Sequence, residues 1–395
     1  MPTSLLRGAL AATVTLFALT TSAVAAGAAQ AAPSTAPAVP LAPAVAQGQA
    51  LALPRPTGPH PVGMTALHLV DDSRPDPWVA TQKSRELMVS VWYPARASGG
   101  RKAPYMTRRE SELILESLPD GMEKDALSKV RTHAFADAAP LGRGRSLPLI
   151  VLSPGFGMSR SSLTALAEDL ASRGYVVAGI DHTHEVTATA FPDGHIETCV
   201  ACDSVETPGF GEKSTRARAA DVSFVLDRLT GPDPAWKHAR LIDPSRIAMA
   251  GHSIGGNSAT WTMLNDPRVR AGVNMDGTFW IPIPDRGLSR PFLLLGAGDI
   301  HKPGGEDPSW SRDWPHMTGW KRWLTFDGAD HSSFTDYPLL SDQAGVKPTT
   351  SLSGARSVEL TRRYVAAFLD LHLRKRPQPL LERPSRRYPE VGFNG

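Results

Sequence analysis

The sequence predicts an α/β protein with a mainly parallel central sheet covered by helices on both faces. Two observations carry that reading. From Arg85 onward, short apolar runs alternate with stretches of helical spacing, the pattern of β and α units that pack a sheet between helices. Several runs are also continuously apolar, as in "LPLIVLSPGFG", "RIAMAG" and "RPFLLLGAGD", which suits strands buried on both sides.

Taken in order, "ELMVSVWYPA" sets Leu87, Val89 and Val91 on one face and Met88, Ser90 and Trp92 on the other, the alternation of a half-buried strand. "LPLIVLSPGFG" ends in Pro and Gly, where a central strand leaves the sheet. "SSLTALAEDLASRG" carries Leu163, Leu166 and Leu170 at helical spacing, with Gly174 placed to stop the helix. "YVVAGID" reads as strand, and "STRARAADVSFVLDRLTG" as a helix striped by Val222, Val225, Leu226 and Leu229. "RIAMAG" is strand and "IGGNSATWTMLN" helix. "VRAGVNMDG", "RPFLLLGAGD" and "KRWLTFDGADH" are strands, and "ELTRRYVAAFLDLHL" closes as a helix through Tyr364, Val365, Phe368 and Leu369. One stretch interrupts the alternation. Tyr105 to Phe135 reads as the heart of a helical insertion over about 105–140, with Leu113, Ile114 and Leu115 expected on its exposed face. It fits a locally packed helix, a partial cap or a surface that touches lipid.

The chain has 395 residues, 41% hydrophobic and 21% charged, which excludes disorder of the whole. A formal net charge of +3 with no dense basic run argues against nucleic acid as the main partner, and leaves room for transient contact with an anionic lipid surface. At the N-terminus, "MPTSLLRGALAATVTLFALTTSAVAAGAAQA" has one basic residue, an apolar stretch and small-residue cleavage sites, so residues 1–31 are expected to be a secretory signal peptide. An uncleaved anchor fits less well, because the stretch is rich in Ala and Thr instead of Leu. Ala/Pro-rich residues 32–55 are expected to link it to one domain over 56–395, and the protein to be secreted. In that setting Cys199 and Cys202 of "ETCVACDS" are expected to form a disulfide. A zinc site would need two further ligands. His182 and His184 of "DHTHE" read as loop residues beside the working edge of the sheet, not as metal ligands, so no metal or cofactor is expected.

The chemistry centres on "RIAMAGHSIGGNSAT". Here Ser253 sits in a G-x-S-x-G pattern between a strand and a helix, where a tight turn pushes the hydroxyl clear of the backbone. The pattern alone is weak evidence; its position at the carboxyl end of a parallel strand strengthens it. A serine hydroxyl needs a base, and the base needs an orienting acid. Asp276 in "GVNMDGTFW" and Asp299 in "LLLGAGDI" both end apolar strands. Among the downstream histidines, His372 falls within the last helix, and His301 and His316 lie in a Pro/Gly/Trp-rich loop. His331 in "DGADHSSFTDYP" follows a strand through a short acidic turn and is the expected base. The oxyanion would be met by the backbone N–H groups of Ile254, after the nucleophile, and Phe156, in "SPGFG". His252 is assigned no chemistry.

"LSPGFGMSRSSLTALAEDLASRGYVVAGIDH", "IDPSRIAMAGHSIGGNSA", "GVNMDGTFW" and "DGADHSSFTDYP", in that order, resemble the platelet-activating-factor acetylhydrolase family of plasma and intracellular type II enzymes and their bacterial relatives. The similarity runs over about residues 60–390 and takes in "VWYPA", "APYM" and "LRKRPQPLLERPSRRYPEV". It implies the α/β-hydrolase fold and selects Asp276 as the acid. Related bacterial lipases and cutinase-like polyester hydrolases place their acid one strand later, which keeps Asp299 as the alternative. The resemblance also implies metal-free cleavage of short or oxidised acyl chains from phospholipids. The expected function is therefore a secreted serine carboxylester hydrolase acting on short-chain or lipid esters through an acyl-enzyme. Triacylglycerol or polyester hydrolysis is the alternative; acyl transfer to an alcohol and a non-catalytic binding role rank below it.

Overall fold

The computed structural model describes residues 50–116 and 122–395. The expected signal peptide and most of the expected linker lie outside these residues. All described residues belong to one compact unit, Ala46–Gly395.

The strands are β1 (Val62–Asp71), β2 (Arg85–Pro94), β3 (Phe135–Ala136), β4 (Leu147–Ser153), β5 (Val176–Asp181), β6 (Ala188–Ala190), β7 (Ile196–Thr198), β8 (Ile242–His252), β9 (Val269–Met275), β10 (Phe292–Ala297), β11 (Lys321–Phe326) and β12 (Val391–Asn394). All but the β6–β7 hairpin join one ten-stranded sheet, in the order β12-β11-β10-β9-β8-β4-β5-β2-β1-β3. The run from β11 through β5 is parallel. β2 lies antiparallel to both β1 and β5, and β12 is antiparallel to β11.

The helices are α1 (Arg108–Glu116), α2 (Thr164–Ser172), α3 (Phe210–Thr230), α4 (Ile254–Asn265), α5 (Ser309–Asp313), α6 (Tyr337–Gln343) and α7 (Gly354–Arg374). α2 and α7 cover one face of the sheet, where Leu166, Leu170, Val365, Phe368 and Leu369 share a core with Ile150, Val177 and Ala250. α3 and α4 cover the other, where Val222, Val225, Leu226 and Met263 pack on Val151, Ala178 and Met249. Each face thus removes its apolar stripe from water, which is what holds the layers together. Among the described residues no helix is long and apolar enough to cross a membrane.

Three expectations change. β2 is not half-buried: every residue except Glu86 is buried, because α2 and α3 cover both faces of this strand between β1 and β5. Ile114 of α1 is buried, not exposed, and Leu113 and Leu115 are half-buried, since α1 closes a third apolar cluster with Tyr105, Leu127, Val130 and Leu340. Leu51 and Leu53, at the end of the expected linker, join that same cluster, and Ala52 bridges to Arg131. Alternation in the sequence cannot report these three results, because the covering surface comes from distant parts of the chain.

Candidate active site

β8 runs through the centre of the sheet and ends at His252; α4 begins at Ile254. Ser253 occupies the single residue between them at φ 56° and ψ −128°, a strained conformation for a residue with a Cβ. The turn is so tight that Gly255 must be glycine: a Cβ there would drive into the carbonyl oxygen of Ser153 at the end of the neighbouring β4. The same crowding brings the 153–157 loop under the turn, with a Cβ on Gly155 only 2.7 Å from Nδ1 of His252. Ser253 is half-buried.

Asp276 directly follows β9 at φ 60° and is fully buried. Asn274 pins the turn after it, accepting from the N–H of Gly277 (2.8 Å) and donating to that residue's carbonyl (2.7 Å). His331 opens a short 3₁₀ turn after β11, capped by Asp330 and anchored by Phe334, whose ring stacks on Phe326. These loops bring three side chains together. Nδ1–H of His331 donates to Oδ2 of Asp276 at 2.6 Å, and Nε2 of His331 accepts the hydroxyl of Ser253 at 2.9 Å. Asp299 is not part of this cluster. Its side chain is 93% exposed and pairs with Lys302.

The N–H groups of Phe156 and Ile254 take no protein acceptor among the described residues. The next amide in the loop is committed elsewhere, since Gly157 N–H donates to the Glu185 carbonyl at 2.8 Å. Ile254 is the first residue of α4, where the helix dipole favours negative charge. Both N–H groups are thus left to donate to a bound group.

Two histidines around this cluster carry no sequence signal for their roles. His252 donates from Nε2 to the backbone carbonyl of His331 at 2.7 Å, tying the turn at Ser253 to the loop of His331. Burial, and next the neighbouring His331, pull its imidazole down to about 3, so it stays neutral. His301 is buried against Asp276. Its Nδ1–H donates to Oδ1 of Asp276 (2.7 Å) and its Nε2–H to Asp307 (2.9 Å). Burial opposes its charge, but the bonds to the two carboxylates outweigh that and carry it up to about 9. Burial alone would raise the Asp276 carboxyl; the hydrogen bonds from His301 and His331 win and hold it well below the usual carboxylate range.

His182 and His184 lie buried beneath the 153–157 loop, each bound to carboxylates. His182 bridges Ser153 and Asp221, at 2.8 Å to each, and His184 bridges Asp76 (3.0 Å) and Glu197 (3.1 Å). Buried Arg218 completes the support by joining Glu185 to the carbonyl of Pro154. Cys199 and Cys202 are joined by a disulfide at the start of the segment that leads to Phe210. There the Phe210 ring meets Phe156 edge-on at 5.0 Å, and Trp280, 55% exposed, lies against Gly211.

A model of the platelet-activating factor acetylhydrolase, isoform II, family matches residues 45–196 and 235–377. The chain belongs to this family. It is a carboxylic ester hydrolase of the α/β-hydrolase fold. A probable 1-alkyl-2-acetylglycerophosphocholine esterase of Arthroderma benhamiae is 29% identical over 86% of this chain and 93% of its own. The platelet-activating factor acetylhydrolase of Gallus gallus is 22% identical over 81% of this chain and 83% of its own. Among solved structures, a ferulic acid esterase from Streptomyces cinnamoneus is 46% identical, with a TM-score of 0.79 over 87% of this chain and 99% of that one.

Proposed function

We propose that this family member is a secreted serine carboxylester hydrolase in which Ser253, His331 and Asp276 act as nucleophile, base and orienting acid. The observation that carries the reading is the unbroken line of hydrogen bonds from Asp276 through His331 to Ser253, at 2.6 and 2.9 Å. His331 takes the serine proton as Oγ attacks the ester carbonyl, and Asp276 stabilises the imidazolium that forms. The N–H groups of Phe156 and Ile254 receive the oxyanion. His331 then protonates the leaving alcohol, and the same base activates water to release the acyl group. Residues 1–31 direct export, 32–55 link and end packed against the catalytic domain at Leu51 and Leu53, and 56–395 form that domain, with the 105–140 insertion within it. The substrates are short-chain or lipid esters, as the names of the acetylhydrolase relatives suggest.

A second reading of the substrate has its own support. Phe156, Phe210 and exposed Trp280 offer ring surfaces next to the oxyanion loop, suited to stacking on a planar aromatic acyl group. The Streptomyces ferulic acid esterase points the same way. A panel of p-nitrophenyl esters, an acetylated phospholipid, methyl ferulate and a polyester film separates these readings by their kcat/KM values. Short p-nitrophenyl esters are expected to turn over, and Ser253→Ala to remove that turnover. Turnover that survives Ser253→Ala contradicts the proposed nucleophile.

A further inference from the structure

We propose that His301 is a positioning residue for ester hydrolysis: with Asp307 behind it, its imidazole locks the Asp276 carboxylate so that one oxygen stays aimed at His331. The inference rests on the triad reading above and extends its hydrogen-bond line to Asp307–His301–Asp276–His331–Ser253.

The geometry divides the two carboxylate oxygens cleanly. Oδ1 of Asp276 accepts from the N–H of Ala297 (2.6 Å) and from Nδ1–H of His301 (2.7 Å), and Oδ2 is left for His331 (2.6 Å). The carboxyl group turns about a soft, two-fold torsion, so an acid held by one oxygen alone could rotate away from its partner. His301 prevents this because it cannot move. Its ring stacks on Trp310 at 4.3 Å, its own carbonyl accepts from the Trp323 indole at 2.7 Å, and Gly296 of β10 leaves no room beneath it for a Cβ. Asp307 is fixed in turn by the N–H of Ser309 at 2.7 Å and by the Thr278 side chain. The charged groups that face His301 are Asp276 and Asp307, and His331 sits on the far oxygen of Asp276. Flanked by two carboxylates, the imidazole is held in its doubly donating, charged form.

The test compares His301→Asn, whose amide can place a donor near the position of Nδ1, with His301→Phe, which keeps a ring against Trp310 but cannot donate. His301→Phe is expected to lower kcat about ten- to a hundred-fold with KM within about two-fold, and His301→Asn to recover most of that loss. A second readout follows from charge. The folded-state value of about 9 stands above the ordinary 6.5, so stabilisation by the charged imidazole is complete below about 6.5 and is lost as pH rises through about 9. The Tm difference between the wild type and His301→Asn is expected to be greatest near pH 6 and to shrink as pH rises through about 9, down to the part that comes from lost packing. The proposal is overturned if His301→Phe matches the wild type in kcat, if Asn restores no more than Phe, or if the Tm difference ignores pH. These outcomes are separate from the fate of the triad reading, which falls if Ser253→Ala or His331→Ala retains wild-type turnover.

Discussion

Asp276→Asn is expected to lower kcat by about four orders of magnitude in a protein that still folds, while Asp299→Asn stays within about two-fold of the wild type. An amide in place of the carboxylate keeps the volume but presents a neutral group to Nδ1 of His331. It loses both the stabilisation of the imidazolium and the tautomer that leaves Nε2 free to accept from Ser253. Asp276 takes three hydrogen bonds, from Ala297, His301 and His331, so an amide nitrogen in either oxygen's place would face an N–H donor and could not restore them all. Asp299, 93% exposed and paired with Lys302, has nothing to lose beyond a surface ion pair. Steady-state kinetics on a short-chain ester, with circular dichroism to verify folding, checks both. Loss of activity in Asp299→Asn alone would place the acid one strand later.

The largest expected effect on stability lies beside the 153–157 loop. Arg85, on β2, is fully buried and bonds Asp221 at 2.9 Å, Asp76 at 2.7 Å and the carbonyl of Thr183 at 2.6 Å. Arg85→Met keeps an unbranched apolar stem but removes the guanidinium and leaves two buried carboxylates short of a main cation. Arg74 still reaches Asp221, so the loss is partial there and fuller at Asp76. Breaking such a buried pair costs about 3–5 kcal/mol, against about 1 kcal/mol or less for a typical surface pair. Urea denaturation at pH 7 reads it, and a loss under about 1 kcal/mol would show the network to be dispensable. Burial opposes ionisation of Asp76, but the His184 hydrogen bond and the Arg85 charge bring it down to about 2. Its contribution is therefore complete above the ordinary 3.8 and is withdrawn only as pH falls towards 2. Because the Thr183–Glu185 segment that Arg85 holds also accepts the Gly157 amide, the variant is expected to loosen the 153–157 loop as well.

What could be read from sequence was local or ordered along the chain. Ser253 announces itself because strand, glycine and helix meet within a few residues. His331 follows from the loop after a late strand, and the parallel strands β4, β8 and β10 from their continuous apolar runs. The short edge strands β3 and β12 have no such signature, since each borrows its hydrogen bonds from a neighbour far away in the chain. His301 is hidden for a related reason. It sits in a loop rich in Pro, Gly and Trp, and only the packing of Trp310 and Trp323 around it turns that loop into a rigid mount. Arg85 is also invisible as a core residue, because its two carboxylate partners come from a loop and from α3. Charge burial depends on partners that a linear reading cannot pair.

The most direct measurement is labelling with a fluorophosphonate, followed by mass spectrometry of the peptide that carries the adduct. The triad predicts one adduct per chain, on Ser253, formed at least about a hundred times more slowly in His331→Ala. An adduct on another serine, or labelling of Ser253 at the wild-type rate without His331, would contradict it.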